Sequence, residues 1–128
     1  MKIKFAVFIV VIVLLVIGIG VFTNKSQGPG KFDEFAQALK SGGAEFYGAF
    51  WCPHCQAQKA MFGKSAQYLP YTECSTPDGQ GQLQVCKDHG ITTYPTWFFP
   101  TGSTTPEIVT GEIELVDLAE RTSCVLPE

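Results

Sequence analysis

The chain has 128 residues, five of them cysteine, and a formal net charge of −3. All twelve acidic residues follow Lys25, against six basic ones, so that stretch carries −6. It holds no Lys/Arg cluster, which removes support for nucleic acid as a partner, and it is long enough for one packed core.

Residues 5–22 form an unbroken apolar and glycine run of eighteen residues. As a helix it would span about 27 Å, close to a hydrocarbon core of about 30 Å. A cleaved secretory signal has a shorter apolar region, about 7–15 residues, although Gly18-Ile19-Gly20 resembles a small-x-small cleavage site. Length favours an uncleaved anchor over residues 1–25. A buried core helix fits least, because nothing else in the chain could cover a helix that is apolar all round. Lys2, Lys4 and the amino terminus precede the run. The positive-inside bias therefore places Met1 in the cytoplasm and the domain on the extracytoplasmic side of the cell membrane, with Lys25 and Lys31 weakening the asymmetry. Disulfide chemistry is at home there.

Residues 26–30, Ser-Gln-Gly-Pro-Gly, read as a linker, and residues 31–128 as the domain. Phe32, Phe35, Ala36 and Leu39 recur at helical spacing, and Ser41-Gly42-Gly43 stops that helix. Residues 45–50 read as a strand. A helix follows Pro53, with Phe62, Ala66 and Leu69 on one face, Gly63 weakening it and Leu69-Pro70 ending it. Residues 71–74 read as a short strand, Thr76-Pro77-Asp78-Gly79 as a turn, and residues 80–89 as a helix capped by Gly90. Residues 96–99 are a strand, residues 100–103 a hairpin turn and residues 107–110 the returning strand. A last helix carries Leu115, Leu118 and Ala119 and ends near Cys124.

The chemistry concentrates in Cys52-Pro53-His54-Cys55. Cys-x-x-Cys can close a small disulfide and so forms a two-electron couple. Pro53 suits the first helical position, where its missing N–H would have no partner. Cys52 then falls at the N-cap, facing unpaired N–H groups and the positive end of the helix dipole, both of which favour a thiolate. Cys52 is the candidate nucleophile and the more exposed of the pair, and Cys55, one turn in, the resolving thiol. A structural bridge gains by closing a long loop, and this one closes almost none. His54 as imidazolium would add positive charge beside Cys52, or else is a solvent-exposed side chain with no electronic role. A zinc site would want a second close cysteine pair. Cys74 and Cys86 lie too far apart in sequence for that, and no metal is assigned.

Cys74 and Cys86 flank the turn. A bridge between them would close a thirteen-residue loop, worth about 3 kcal/mol on the chain-entropy account. Two buried free thiols are the alternative, and an exported location favours the bridge. Cys124 is the odd cysteine, either a buried small residue or a reactive thiol. His89, at a helix end, fits a partner of the helix terminus better than a metal ligand.

Residues 50–55, Phe-Trp-Cys-Pro-His-Cys, and residues 91–96, Ile-Thr-Thr-Tyr-Pro-Thr, resemble the active-site and cis-proline segments of thioredoxin-like proteins. Residues 47–56, then Leu69-Pro70-Tyr71, Glu73-Cys74, Gly90-Ile91 and residues 94–97, are similar to the thioredoxin-like domain fused to vitamin K epoxide reductase homologues. The resemblance covers residues 31–124, and no reductase domain accompanies it. It implies an α/β fold with a central mixed sheet and helices on both faces, here preceded by one transmembrane helix. It implies that Pro95 is cis and packs beside the active disulfide, and that the Tyr94 backbone pairs with an extended substrate segment. Trp51 is either a cover for the disulfide or an ordinary aromatic. Many relatives bury an acid six residues before the first cysteine as a proton shuttle. Phe46 stands there in this chain, and Glu45 points to the other face of the strand.

The expected function is a membrane-anchored, extracytoplasmic thiol–disulfide oxidoreductase with Cys52 and Cys55 as its couple. It would oxidise the thiols of substrate proteins, need no cofactor, and be recharged by a quinone-linked membrane partner of the vitamin K epoxide reductase type. A disulfide reductase and a non-catalytic peptide-binding module are the alternatives, and intact Cys52 and Cys55 argue against the second.

Overall fold

The computed structural model describes Ile12 and residues 28–128. Apart from Ile12, the anchor expected over residues 1–25, and the first part of the linker, lie outside those residues. Among the described residues no helix is long and apolar enough to cross a membrane.

The first helix, α1 (Asp33–Ser41), buries Phe35, Ala36 and Leu39, the stripe its periodicity marks. Asp33 and Glu34 in its first turn and Lys40 in its last complement the helix dipole. Strand β1 (Glu45–Gly48) follows, then α2 (Pro53–Phe62), a 3₁₀ segment (Gly63–Tyr68) and β2 (Tyr71–Glu73). Helix α3 (Gln84–Asp88), strands β3 (Thr96–Phe99) and β4 (Glu107–Thr110), and α4 (Leu115–Thr122) complete the domain. The order of helices and strands is the expected one.

The sheet runs β2-β1-β3-β4. Strands β1 and β2 are parallel, while β1–β3 and β3–β4 are antiparallel. Alternation divides the core between the two faces. Phe46, Trp97 and Phe99 join Phe35, Leu39, Phe62 and Leu118 in the larger cluster. Tyr47, Ile91, Cys74 and Cys86 form a second cluster, with Phe98 packed against it. Phe46 stacks on Trp97 with centroids 4.4 Å apart, and burying each such side chain contributes about 1.5–3 kcal/mol.

Beyond shifts of a residue or two at the ends of β2 and α4, four boundaries differ from expectation, each for a local reason. Strand β1 stops at Gly48 instead of residue 50, because the Cys52 N–H turns back to the Ala49 carbonyl at 3.0 Å and launches α2. Gly63, at φ +55°, ends the α-helix outright, and the chain continues as the 3₁₀ segment. The helix expected over residues 80–89 shrinks to Gln84–Asp88, since residues 75–82 fold into a turn with Ser75 paired to Gln82. The connection from β3 to β4 takes residues 100–106 and not a tight turn.

Candidate active site

Cys52 is the N-cap of α2 in extended conformation, and Pro53 opens the helix. Cys52 and Cys55 are both free thiols and both buried, Cys52 5% exposed and Cys55 1%. The pair lies at the end of β1, where the chain leaves the sheet. The Tyr94–Pro95 peptide is cis. Its Tyr94 carbonyl accepts from the Cys52 Sγ–H at 3.7 Å, so the proline segment stands directly over the first cysteine. Trp51 is about half exposed. It meets the Tyr94 ring edge to face at 6.0 Å and donates from Nε1 to Ser75 Oγ at 2.8 Å. Phe50 beside it is equally exposed.

Burial pushes the Cys55 thiol up to about 12, opposed by a hydrogen bond from the Ala49 backbone and raised further by Cys52, with Lys59 acting downward. Behind it the wall is made by Gly48. A Cβ there would stand 2.7 Å from Cys55 Sγ and 2.9 Å from Tyr71 Cε2. Neither neighbour is the loose end of a flexible chain, so only glycine fits. Gly48→Ala is expected to cost about 1–3 kcal/mol of stability in the reduced protein, the range for overpacking. Urea unfolding checks this, and an unchanged midpoint would show that the wall yields freely.

Three residues absent from the expected site surround this wall. The Tyr71 hydroxyl donates to Glu73 Oε2 at 2.8 Å. Glu73 Oε1 accepts from the Phe50 N–H at 3.2 Å and the Ser75 N–H at 2.8 Å. Lys59 Nζ sits 3.1 Å from the centroid of the Tyr71 ring. Burial lowers the Lys59 pKa, against the charges of Glu73 and Cys55. Burial raises that of Tyr71, helped by the hydrogen bond to Glu73. Lys59 thus acts on Cys55 from α2, and the Glu73 carboxylate on β2 is linked to the same corner through Tyr71 and Lys59. Phe46, at the position where relatives keep an acid, is fully buried against Trp97. Glu45 instead accepts from the Tyr47 hydroxyl at 2.6 Å.

These shifts carry a pH dependence. An ordinary thiol ionises near 9.0, while folded Cys55 holds its proton to about 12. Its stabilising contribution is complete below pH 9 and is lost as pH rises toward 12. Tyr47 and Tyr71 are also shifted upward, chiefly by burial, and act with the same sign. The melting temperature of the reduced protein is therefore expected to fall over this range. The Cys52–Cys55 disulfide form should fall less, because its Cys55 does not titrate. Identical profiles for the two forms would remove Cys55 from the account.

His54 is exposed, with Nδ1 2.6 Å from Glu112 Oε1. Gln58, one turn further along α2 and fully buried, holds the Ile113 backbone from both sides. Its Oε1 accepts the Ile113 N–H at 2.7 Å and its Nε2 donates to the Ile113 carbonyl at 2.9 Å. That clamp fixes Glu112 beside His54. Cys74 and Cys86 are joined by a disulfide and fully buried, tying the end of β2 to α3. They are thereby unavailable as a second zinc half-site. Among the described residues no group of three or more His, Cys, Asp or Glu is placed to hold a metal. Cys124 is half-buried, its Sγ–H donating to the Thr122 carbonyl at 3.6 Å. His89 Nδ1 lies 2.8 Å from the Val85 carbonyl at the end of α3.

Over 98 residues, 73% of this chain and 24% of the other, the sequence is 44% identical to the thiol-disulfide oxidoreductase LTO1 of Arabidopsis thaliana. It is 38% identical over 82 residues to the protein disulfide-isomerase A2 of Homo sapiens, and 39% to that of Pongo abelii, in each case over 59% of this chain and 15% of the other. The chain thus spans a quarter or less of the length of these curated relatives. The family model described as Thioredoxin matches residues 25–123. That match runs from before α1 to beyond the end of α4 and takes in every strand and helix described above, so the chain belongs to the thioredoxin family.

Proposed function

We propose that this thioredoxin-family thiol–disulfide oxidoreductase is anchored in the cell membrane by residues 1–25, oxidises cysteine pairs of other proteins on the extracytoplasmic side, and is recharged by a quinone-linked membrane reductase. One observation carries the chemistry: Cys52 caps α2 beneath the Tyr94 carbonyl while Cys55 lies buried one turn behind it.

In the oxidised protein a substrate thiolate attacks Cys52 Sγ. The Cys52–Cys55 bond breaks, its electron pair goes to Cys55, and a mixed disulfide forms on Cys52. Cys55 then takes up a proton, the form its burial favours. A second substrate thiolate attacks the substrate sulfur of the mixed disulfide and releases Cys52. The substrate leaves as a disulfide, having given up two electrons and two protons to the couple. The partner takes the same two electrons and two protons from the dithiol to its quinone. Lys59 faces Cys55 and handles its proton in place of the acid that Phe46 displaces, with the Glu73 charge acting on Lys59 from behind.

Anchorage rests on the apolar run after Lys2 and Lys4, and the quinone-linked partner on the resemblance to the reductase-fused domain. Protease added to intact spheroplasts should digest the domain of the full-length chain, and a membrane-associated cycle of thiol oxidation should require quinone. Protection from protease, or a mature amino terminus near Val21, refutes the topology or the anchor respectively.

A further inference from the structure

The loop between Cys74 and Cys86 holds both aromatic walls beside Cys52. At its base Ser75 pairs with Gln82, and the Leu83 N–H donates to the Cys74 carbonyl at 2.7 Å. Ser75 is 3% exposed, and its Oγ receives the Trp51 Nε1–H at 2.8 Å. Gln82 Nε2 donates to the Tyr94 hydroxyl at 2.8 Å and to the Ile91 carbonyl at 2.7 Å. One end of the loop base therefore grips Trp51 and the other grips Tyr94, the two rings that meet edge to face above the cysteines. Gly79 at the tip closes on the same tryptophan, where a Cβ would lie 3.6 Å from Trp51 Cδ1. The disulfide fixes where this loop begins and ends.

We propose that Ser75 and Gln82, set by the disulfide-closed loop, are positioning residues that preorganise the groove for an extended cysteine-bearing peptide segment. They govern how tightly the peptide is held, not how fast thiols exchange. The proposal rests on Cys52 as the exchanging thiol. A wall held in place before binding spares the peptide the cost of ordering it, so its loss appears in KM and not in kcat. A small dithiol reaches Cys52 without spanning the walls and serves as an internal control.

The test uses the full-length chain with Ser75→Ala and Gln82→Leu, each keeping the Cys74–Cys86 bridge. Peptide oxidation should show KM raised about three- to tenfold, the effect of one net hydrogen bond. Peptide kcat and the rate with dithiothreitol should stay within about twofold of the unaltered protein. Iodide quenching of fluorescence gives a reading independent of activity. Trp97 is fully buried, so the quenchable signal belongs to Trp51, and Ser75→Ala should raise quenching. An unchanged peptide KM overturns the proposal, as does a parallel loss of the dithiothreitol reaction. If the unaltered protein oxidises neither thiol, the underlying assignment of Cys52 falls instead. In that event unchanged quenching in Ser75→Ala still sinks the proposal, and raised quenching supports the grip on Trp51.

Discussion

Cys52→Ser is expected to lower thiol–disulfide exchange on the order of a thousandfold or more, to background, while Cys55→Ser is expected to accumulate mixed disulfides with substrate. The two cysteines lie one helical turn apart yet differ in what surrounds them. Cys52 stands at the mouth of the site, its sulfur under the Tyr94 carbonyl and at the start of α2, where the helix dipole favours negative charge. Cys55 is enclosed by Gly48 and has its thiol pushed up to about 12 by burial. At neutral pH Cys55 is therefore held as the thiol, and the thiolate is the nucleophile. Removing Cys52 removes the only sulfur of the couple that a substrate can reach. Removing Cys55 leaves Cys52 able to attack a disulfide of substrate or partner and abolishes the escape from the mixed disulfide that results. Iodoacetamide labelling of the reduced protein, followed by peptide mapping, checks the order: Cys52 should be modified first at every pH below that at which the domain unfolds. Earlier labelling of Cys55 would reverse the two roles.

What the sequence made legible was local. The Cys52 cap and Pro53 opening of α2 follow from residues adjacent in the chain, because capping chemistry acts within one turn. The α1 stripe of Phe35, Ala36 and Leu39 follows from helical periodicity, and Gly42-Gly43 marks its end. What stayed hidden depends on register. Tyr71 reaches the cysteines, and Glu73 reaches Tyr71, only because β2 lies parallel to β1 with Gly48 opposite Glu73, and no spacing in the chain encodes that alignment. Glu112 pairs with His54 across 58 residues of sequence, placed there by a buried glutamine that reads from sequence as an ordinary polar helix residue. The position six residues before Cys52 is Phe46 and carries no acid. In the folded protein Lys59 faces Cys55 instead, with the Glu73 carboxylate of the neighbouring strand acting on Lys59. Helix α3 was overdrawn because residues 80–83 have no breaker of their own besides Gly81. Their conformation is set by the Ser75–Gln82 pairing and by Asp78, which accepts from the Thr76 hydroxyl and the Gln80 N–H.

The second large effect expected is on the direction of electron flow. The couple should be oxidising, with a reduction potential above about −210 mV, against about −270 mV for thioredoxin and about −120 mV for a strong periplasmic oxidant. Each 29.6 mV is a tenfold change in equilibrium constant for two electrons, so 60 mV already makes the disulfide about a hundredfold easier to donate than that of thioredoxin. The physical ground is the stability of the reduced form. In the dithiol, Cys52 lies at the N-terminus of α2 with the Tyr94 carbonyl as partner and His54 two residues on, at the second position of the helix. Cys55 is a thiol at neutral pH with or without its burial and leaves this balance unchanged. The helix terminus and the Tyr94 carbonyl favour the dithiol over the disulfide and raise the potential. Glu112 works the other way, since its carboxylate against His54 offsets positive charge near Cys52. At an exposed site that opposition is small. Equilibration with glutathione redox buffers measures the outcome in the full-length protein. His54→Ala should then lower the potential, and Glu112→Gln should leave it unchanged or raise it slightly. A value at or below that of thioredoxin would make the protein a reductase and remove the need for an electron-accepting partner. With an oxidising value in hand, the Cys55→Ser chain should capture, through Cys52, a quinone-linked membrane protein. Capture, through their disulfides, of soluble proteins alone would leave the oxidising couple standing and refute its recharging by such a partner.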